Sequence, residues 1–408
     1  LLGFGEIVVH LPVGFRFAGV SSNIKSRVGA RDVTLIVSDV PCIAAGVYTT
    51  NQIVAAPVVV SRSRTPSNTI RGVVVNSGNA NACTGTRGHQ DAVEMTRLAA
   101  SAVDPTGNLT ADQFLVMSTG VIGRFLPMGK VAAGISAAAL ELAGNEQGFL
   151  NACDGILTTD IARKIADRKF DLGGKTMHIV GMCKGAGMIG PKMATMLAII
   201  ITDAPMEPAQ AQRILQSAAN KSFNCISVEG HMSTNDTLVM LAAQPTAARP
   251  AIEGIEEIAF SNQLDEMAIE LAKKIPDDGE GATHLIEIRI CGANTDADAD
   301  AVARSIALSN LVKTAITGGD PNWGRIVSAA GYAGVPIRPE YTDLEINGIP
   351  LFGRGEPLPF DASIVSKSIK GAKLTEIDLR VGLGPGSAKH WTTDLNTEYV
   401  RFNSEYTT

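Results

Sequence analysis

Residues 184–203 read Lys-Gly-Ala-Gly-Met-Ile-Gly-Pro-Lys-Met-Ala-Thr-Met-Leu-Ala-Ile-Ile-Ile-Thr-Asp, a glycine-punctuated stretch that runs into an apolar, β-branched one with Thr195 at the junction. A threonine hydroxyl within a chain is a weak nucleophile, because no base stands beside it. Cleavage of the Ala194–Thr195 bond would supply one. Thr195 would then carry a free α-amine of pKa roughly 7.7 to 8.0, able to take the proton of its own hydroxyl. The same hydroxyl could open that bond by attacking the Ala194 carbonyl to give an ester that water resolves, so one residue would serve both processing and turnover. The alternative reading is a plain strand start, since Thr suits strands and Gly and Pro bound them.

Acyl transfer also needs donors for an oxyanion. Ser118-Thr119-Gly120 follows an apolar run, and there a glycine lets backbone N–H groups converge while the Thr hydroxyl adds a donor. The competing reading is a strand-ending turn. Lys184 stands eleven positions before Thr195 on what reads as a flexible loop. Its cation could hold a substrate carboxylate or favour the uncharged Thr195 amine; otherwise it is a solvated surface lysine. His10, His89, His178, His231, His284 and His390 show neither H-x-x-x-H nor H-E-x-x-H spacing, so no metal site is expected. Residues 76–85 and 318–325 fit neither phosphate-binding glycine pattern, and Trp323 reads as packing.

The elements that must position these groups are intermixed. Strands are expected at 33–37, 72–75, 114–117, 178–182, 196–202, 237–242, 285–290 and 343–346, and helices at 90–103, 130–142, 208–219, 262–274 and 298–309. Mixed elements without a dinucleotide fingerprint leave α/β and α+β both open. At 408 residues the chain exceeds the roughly 250 to 300 residues of a single core, so more than one packed unit is expected. A catalytic unit over 1–290 and a smaller α/β unit over 291–408 is the expected division, because the small, acidic 292–300 stretch lies between a strand and a helix. Apolar residues at 45% exclude disorder, and a formal charge of -6 argues against a general nucleic-acid binder. No apolar run reaches the length of a membrane span. Cys42, Cys83, Cys153, Cys183, Cys225 and Cys291 are scattered without a C-x-x-C pair, which fits reduced thiols in a cytoplasm.

The 184–197 signature resembles the processing site of the ornithine acetyltransferase family of arginine biosynthesis. So do Asn76-Ser-Gly-Asn-Ala-Asn-Ala-Cys-Thr-Gly85, Ser118-Thr-Gly-Val-Ile-Gly123, Thr158-Thr-Asp160, Ser233-Thr-Asn-Asp-Thr237, Asp278-Gly-Glu-Gly-Ala-Thr283, Gly319-Asp-Pro-Asn-Trp-Gly-Arg325 and the tail Asn403-Ser-Glu-Tyr-Thr-Thr408, in this order along the chain. The resemblance implies a layered α/β/β/α sandwich, self-cleavage between Ala194 and Thr195, and acetyl transfer from N2-acetylornithine to glutamate through acetyl-Thr195. It also implies two processed chains paired into a heterotetramer. It places the oxyanion donors on Thr119 and Gly120 and the substrate contacts on Thr158, Lys184, Thr195, Glu280, Asn403 and the terminal Thr408, so that the tail returns to the active site. No cofactor is implied; acetyl-CoA as a second donor stays open. So do an N-terminal-nucleophile amidase or aminopeptidase and an uncleaved binding protein. The chain departs from the common family pattern at Ala186, Lys192, 161–164, Glu229, His231 and His284, which bears on specificity more than on chemistry.

Overall fold

The computed structural model describes residues 9–190, 196–244 and 249–405. Ala194, Thr195, Lys192 and Thr408 lie outside the described residues. In chain order the first elements are β1 Phe15–Val20, β2 Val33–Tyr48, α1 Ala56–Arg62, β3 Ser67–Asn76, α2 Gly85–Val103, β4 Phe114–Ser118, α3 Met128–Leu140, α4 Glu146–Ile156, β5 Lys164–Leu172, β6 Lys175–Lys184, β7 Leu197–Thr202, α5 Pro208–Lys221, β8 Thr237–Ala242 and α6 Ile255–Asp277. There follow β9 Leu285–Ala293, α7 Asp296–Ala307, α8 Asn310–Gly318, α9 Trp323–Gly331, β10 Thr342–Ile346, β11 Ile349–Gly353, β12 Glu356–Pro357, α10 Ala362–Lys370, β13 Leu374–Val381, β14 Gly386–Thr393 and α11 Thr397–Glu405.

The long strand β2 organises the first unit. Its first half pairs with β1 and β3, its second half pairs antiparallel with β8, and the register shifts between Val37 and Cys42. The eight-stranded sheet, whose seven-strand path β4-β3-β2-β8-β7-β6-β5 has β1 beside β2, is thereby turned into two facing layers. Side-chain alternation shows the layering. Val73, Val75, Leu115 and Met117 share one core with Leu197, Ile199, Ile201, Val239 and Leu241. The opposite faces turn outward: Val74 and Val116 pack with Met95, Ala99, Val131 and Ile135 of α2 and α3, whereas Ala198, Ile200, Leu238 and Met240 pack with residues of α5 and α6. Period-two strands buried on both faces give an α/β/β/α sandwich, which is why 197–201 can be apolar at every position.

A second sheet, β12-β11-β10-β13-β9-β14, carries α7 to α10 around its own core. Residue 290 falls inside β9, whose Leu285 end belongs to the α5/α6 core while Ile286, Ile288 and Ile290 belong to the second. Trp391 of β14 also reaches the first unit's core, and its indole N–H donates to Glu287 at 2.8 Å. Trp323 stacks on Phe352, so its role is packing.

His390 makes this second sheet sensitive to acid. It is fully buried on β14 opposite Ile288, and neither ring nitrogen has a hydrogen-bond partner among the described residues. Burial, with the Arg304 charge adding, pulls its pKa from 6.5 down to about 3. The folded chain therefore binds this proton less readily than the unfolded chain, so the stability from the neutral ring is complete above about pH 6.5 and is lost as pH falls toward 3. His390→Phe is expected to move the acid-unfolding midpoint, followed by circular dichroism, to lower pH. An unchanged midpoint would show that the ring is solvated.

Candidate active site

The sheet end where the chain enters β7 collects the chemistry. Leu197 pairs with Lys184 of β6 on one side and with Thr237 of β8 on the other, and the Thr237 N–H donates to the Met196 carbonyl at 3.1 Å. Lys184 is the last residue of β6 and 2% exposed, neither on a flexible loop nor solvated as its glycine-rich flank suggests. A buried ammonium is tolerated only beside opposite charge, and Asp160 supplies it.

Asp160 is the hub of this side. Its carboxylate accepts from Lys164 Nζ at 2.7 Å, from the Gly185 N–H at 2.7 Å and from the Thr158 N–H at 3.0 Å. Lys164 Nζ also donates to Asp278 at 2.5 Å, tying β5 to the loop after α6. Burial alone would push the Asp160 carboxyl up, but the Lys184 and Lys164 cations outweigh it and hold it well below the usual carboxylate range. For Lys184 burial wins: its pKa is lowered even though Asp160 opposes the shift. Its proton is thus more easily lost than that of an ordinary lysine.

Glu280 and Asn403 complete this side. The Glu280 N–H donates to the Ala186 carbonyl at 2.9 Å, its carboxylate accepts from Asn403 Nδ2 at 3.0 Å, and its charge acts on Lys184. Asn403 lies on α11, held near the 279–281 turn by Asn396 Nδ2 donating to the Gly281 carbonyl at 2.7 Å. Thr158, Lys184, Glu280 and Asn403, far apart in sequence, are therefore brought together.

Thr119 and Gly120 sit across the same strand ends. Asn235, just before β8, donates through Nδ2 to the Ser118 carbonyl at 2.8 Å and to the Ala80 carbonyl at 2.7 Å. The Thr119 N–H donates to the Asn76 carbonyl at 3.0 Å, leaving the Thr119 hydroxyl and the Gly120 N–H as the donors to consider for an oxyanion. Gly120 has φ +126°, and a Cβ there would lie 2.6 Å from the Gly78 carbonyl carbon. Only glycine fits.

The neighbouring Asp236 is fully buried, and burial pushes its carboxyl well above the usual range despite the Lys184 cation. Asp160, Asn235 and Asp236 lie inside the sequence motifs but no spacing marks them as site residues, and Lys164 lies outside them; partners 114 residues apart, such as Lys164 and Asp278, leave no spacing signal. No group of three or more metal-ligating side chains occurs among the described residues, and no described helix is long and apolar enough to cross a membrane.

Residues 16–408 match the ArgJ family. The chain belongs to that family. It is 51% identical over 400 residues to the arginine biosynthesis bifunctional protein ArgJ of Rhodopirellula baltica, covering 98% of this chain and 96% of the relative. Among solved structures, the ArgJ protein of Bacillus halodurans is 38% identical, covers 51% of this chain and 98% of its own, and has a TM-score of 0.49. The ornithine acetyltransferase of Mycobacterium tuberculosis complexed with ornithine is 34% identical, covers 46% of this chain and 94% of its own, and has a TM-score of 0.39. Family membership makes this chain an enzyme of arginine biosynthesis.

Proposed function

We propose that this ArgJ-family chain transfers acetyl from N2-acetylornithine to glutamate through an acetyl ester on Thr195, after cutting itself between Ala194 and Thr195. The observation that carries the reading is convergence on one sheet end. The Thr119–Gly120 donors, the Asp160–Lys184 pair and the Glu280–Asn403 contact all gather where β7 begins, two residues after Thr195.

In this scheme the Thr195 amine takes the hydroxyl proton as the oxygen attacks the acetyl carbonyl, and the developing oxyanion is received by Thr119 and Gly120. The protonated amine then gives its proton to the departing ornithine nitrogen. Glutamate's amine enters the vacated place and attacks the ester by the reverse sequence. Lys184 faces the side-chain carboxylate of glutamate, Glu280 the side-chain ammonium of ornithine, and Thr158, Asn403 and Thr408 complete the pocket wall. The processed chains pair into a heterotetramer.

Steady-state kinetics test the scheme. A covalent intermediate gives parallel reciprocal plots when both substrates are varied, because ornithine leaves before glutamate binds. Intersecting lines would mean direct transfer within a ternary complex.

A further inference from the structure

The loop between β1 and β2 carries a cation that none of the motifs above includes. Asp32, fully buried, accepts through its carboxylate from the backbone N–H groups of Ser22 at 2.7 Å, Ile24 at 2.6 Å and Lys25 at 3.0 Å. Its own carbonyl accepts from the Ser77 N–H at 2.9 Å, so one aspartate fixes this loop to the 76–79 turn. The fit is close: a Cβ on Gly78 would come within 2.6 Å of the Ile24 side chain and 2.9 Å of the Lys25 nitrogen. Gly78 is also the residue against which Gly120 rests.

The Lys25 backbone is therefore held against the Gly78 turn on which Gly120 rests, and the charges of Lys184 and Asp160 act on its ammonium. Its ammonium donates to the Arg31 carbonyl at 2.5 Å, and no carboxylate forms an ion pair with it among the described residues. Burial lowers its pKa to about 8 against the pull of Asp32. An incoming carboxylate would give this half-buried cation the ionic partner it lacks.

We propose that Lys25 binds the α-carboxylate that N2-acetylornithine and glutamate have in common. This rests on the acetyl-transfer reading above. In both substrates the α-carbon bears the reacting nitrogen and the carboxylate together. With the acetyl carbonyl at Thr119 and Gly120, the carboxylate falls along the adjoining wall, where the Gly78 turn presents Lys25. The side chain needs only to exchange the Arg31 carbonyl for the substrate.

The test compares competitive inhibition by ornithine and by 1,4-diaminobutane, which is ornithine without its carboxylate. In the processed enzyme ornithine is expected to bind more tightly. Lys25→Met should weaken ornithine by roughly 10- to 100-fold, the range of a charge-assisted hydrogen bond, and leave 1,4-diaminobutane unchanged. Lys25→Gln, which can still donate to the Arg31 carbonyl, should behave like Met, and Lys25→Arg should restore most of the preference. Equal weakening of both inhibitors in the Gln variant would assign Lys25 to loop structure alone, and no change in either would remove it from the pocket; both overturn the proposal. A parent enzyme that fails to turn over N2-acetylornithine would overturn the acetyl-transfer reading instead, and Lys25's assignment with it.

Discussion

Thr195→Ala is expected to yield a single uncut polypeptide with no acetyl transfer above background. The substitution removes the hydroxyl that opens the Ala194–Thr195 bond, and with the bond intact no terminal amine exists to act as base. Both losses come from one oxygen atom, so the effect is larger than that of removing a binding contact. Thr195→Ser keeps a hydroxyl at the same position and should still process and turn over, at a reduced rate. Denaturing electrophoresis reads the first outcome directly: two fragments for the parent and for Ser, one band for Ala. A parent enzyme that is active as one intact chain would refute self-processing outright.

Thr119→Val should be the next most damaging change. Valine keeps the β-branched shape of a 4% exposed residue, so the turn after β4 and its Asn76 hydrogen bond have no steric reason to move. The hydroxyl is lost. Removing one oxyanion donor typically costs about 2.7 to 4 kcal/mol of transition-state stabilisation, or a turnover roughly a hundred- to a thousand-fold lower. KM and thermal midpoint should change far less, because the donor acts on charge that develops only during reaction. A folded variant with near-normal turnover would reduce Thr119 to a turn residue.

The parts of this molecule that could be read in its sequence are those set by local pattern. The apolar 197–201 run, the helix over Pro208–Lys221 and the strand before Ser118 all follow from residue periodicity, and each lies where it is expected. The helix expected from 298 begins earlier, at Asp296, because Thr295 caps it by accepting from the Asp298 N–H at 3.1 Å. What pattern does not carry is the continuation of β2 past Val37. Asp39 and Pro41 look like strand breakers, yet the strand crosses them at an irregular register and so joins the two layers. Lys184 is the more instructive case. Glycines follow it, which favours a loop reading, but its burial depends on Asp160, which is itself held by Lys164. Such a network is a property of the assembled sheet end. The substrate-side residues Thr158, Glu280 and Asn403 were legible only through family resemblance, since no spacing rule links a residue on α11 with the turn after α6.

The most direct measurement of the proposed chemistry is mass spectrometry of the processed enzyme after incubation with N2-acetylornithine alone, without glutamate. The fragment that begins at Thr195 should gain the mass of one acetyl group, map it to Thr195, and lose it when glutamate is added, with N-acetylglutamate appearing in equal amount. A fragment that stays unmodified while transfer proceeds normally once both substrates are present would contradict the acetyl-Thr195 intermediate.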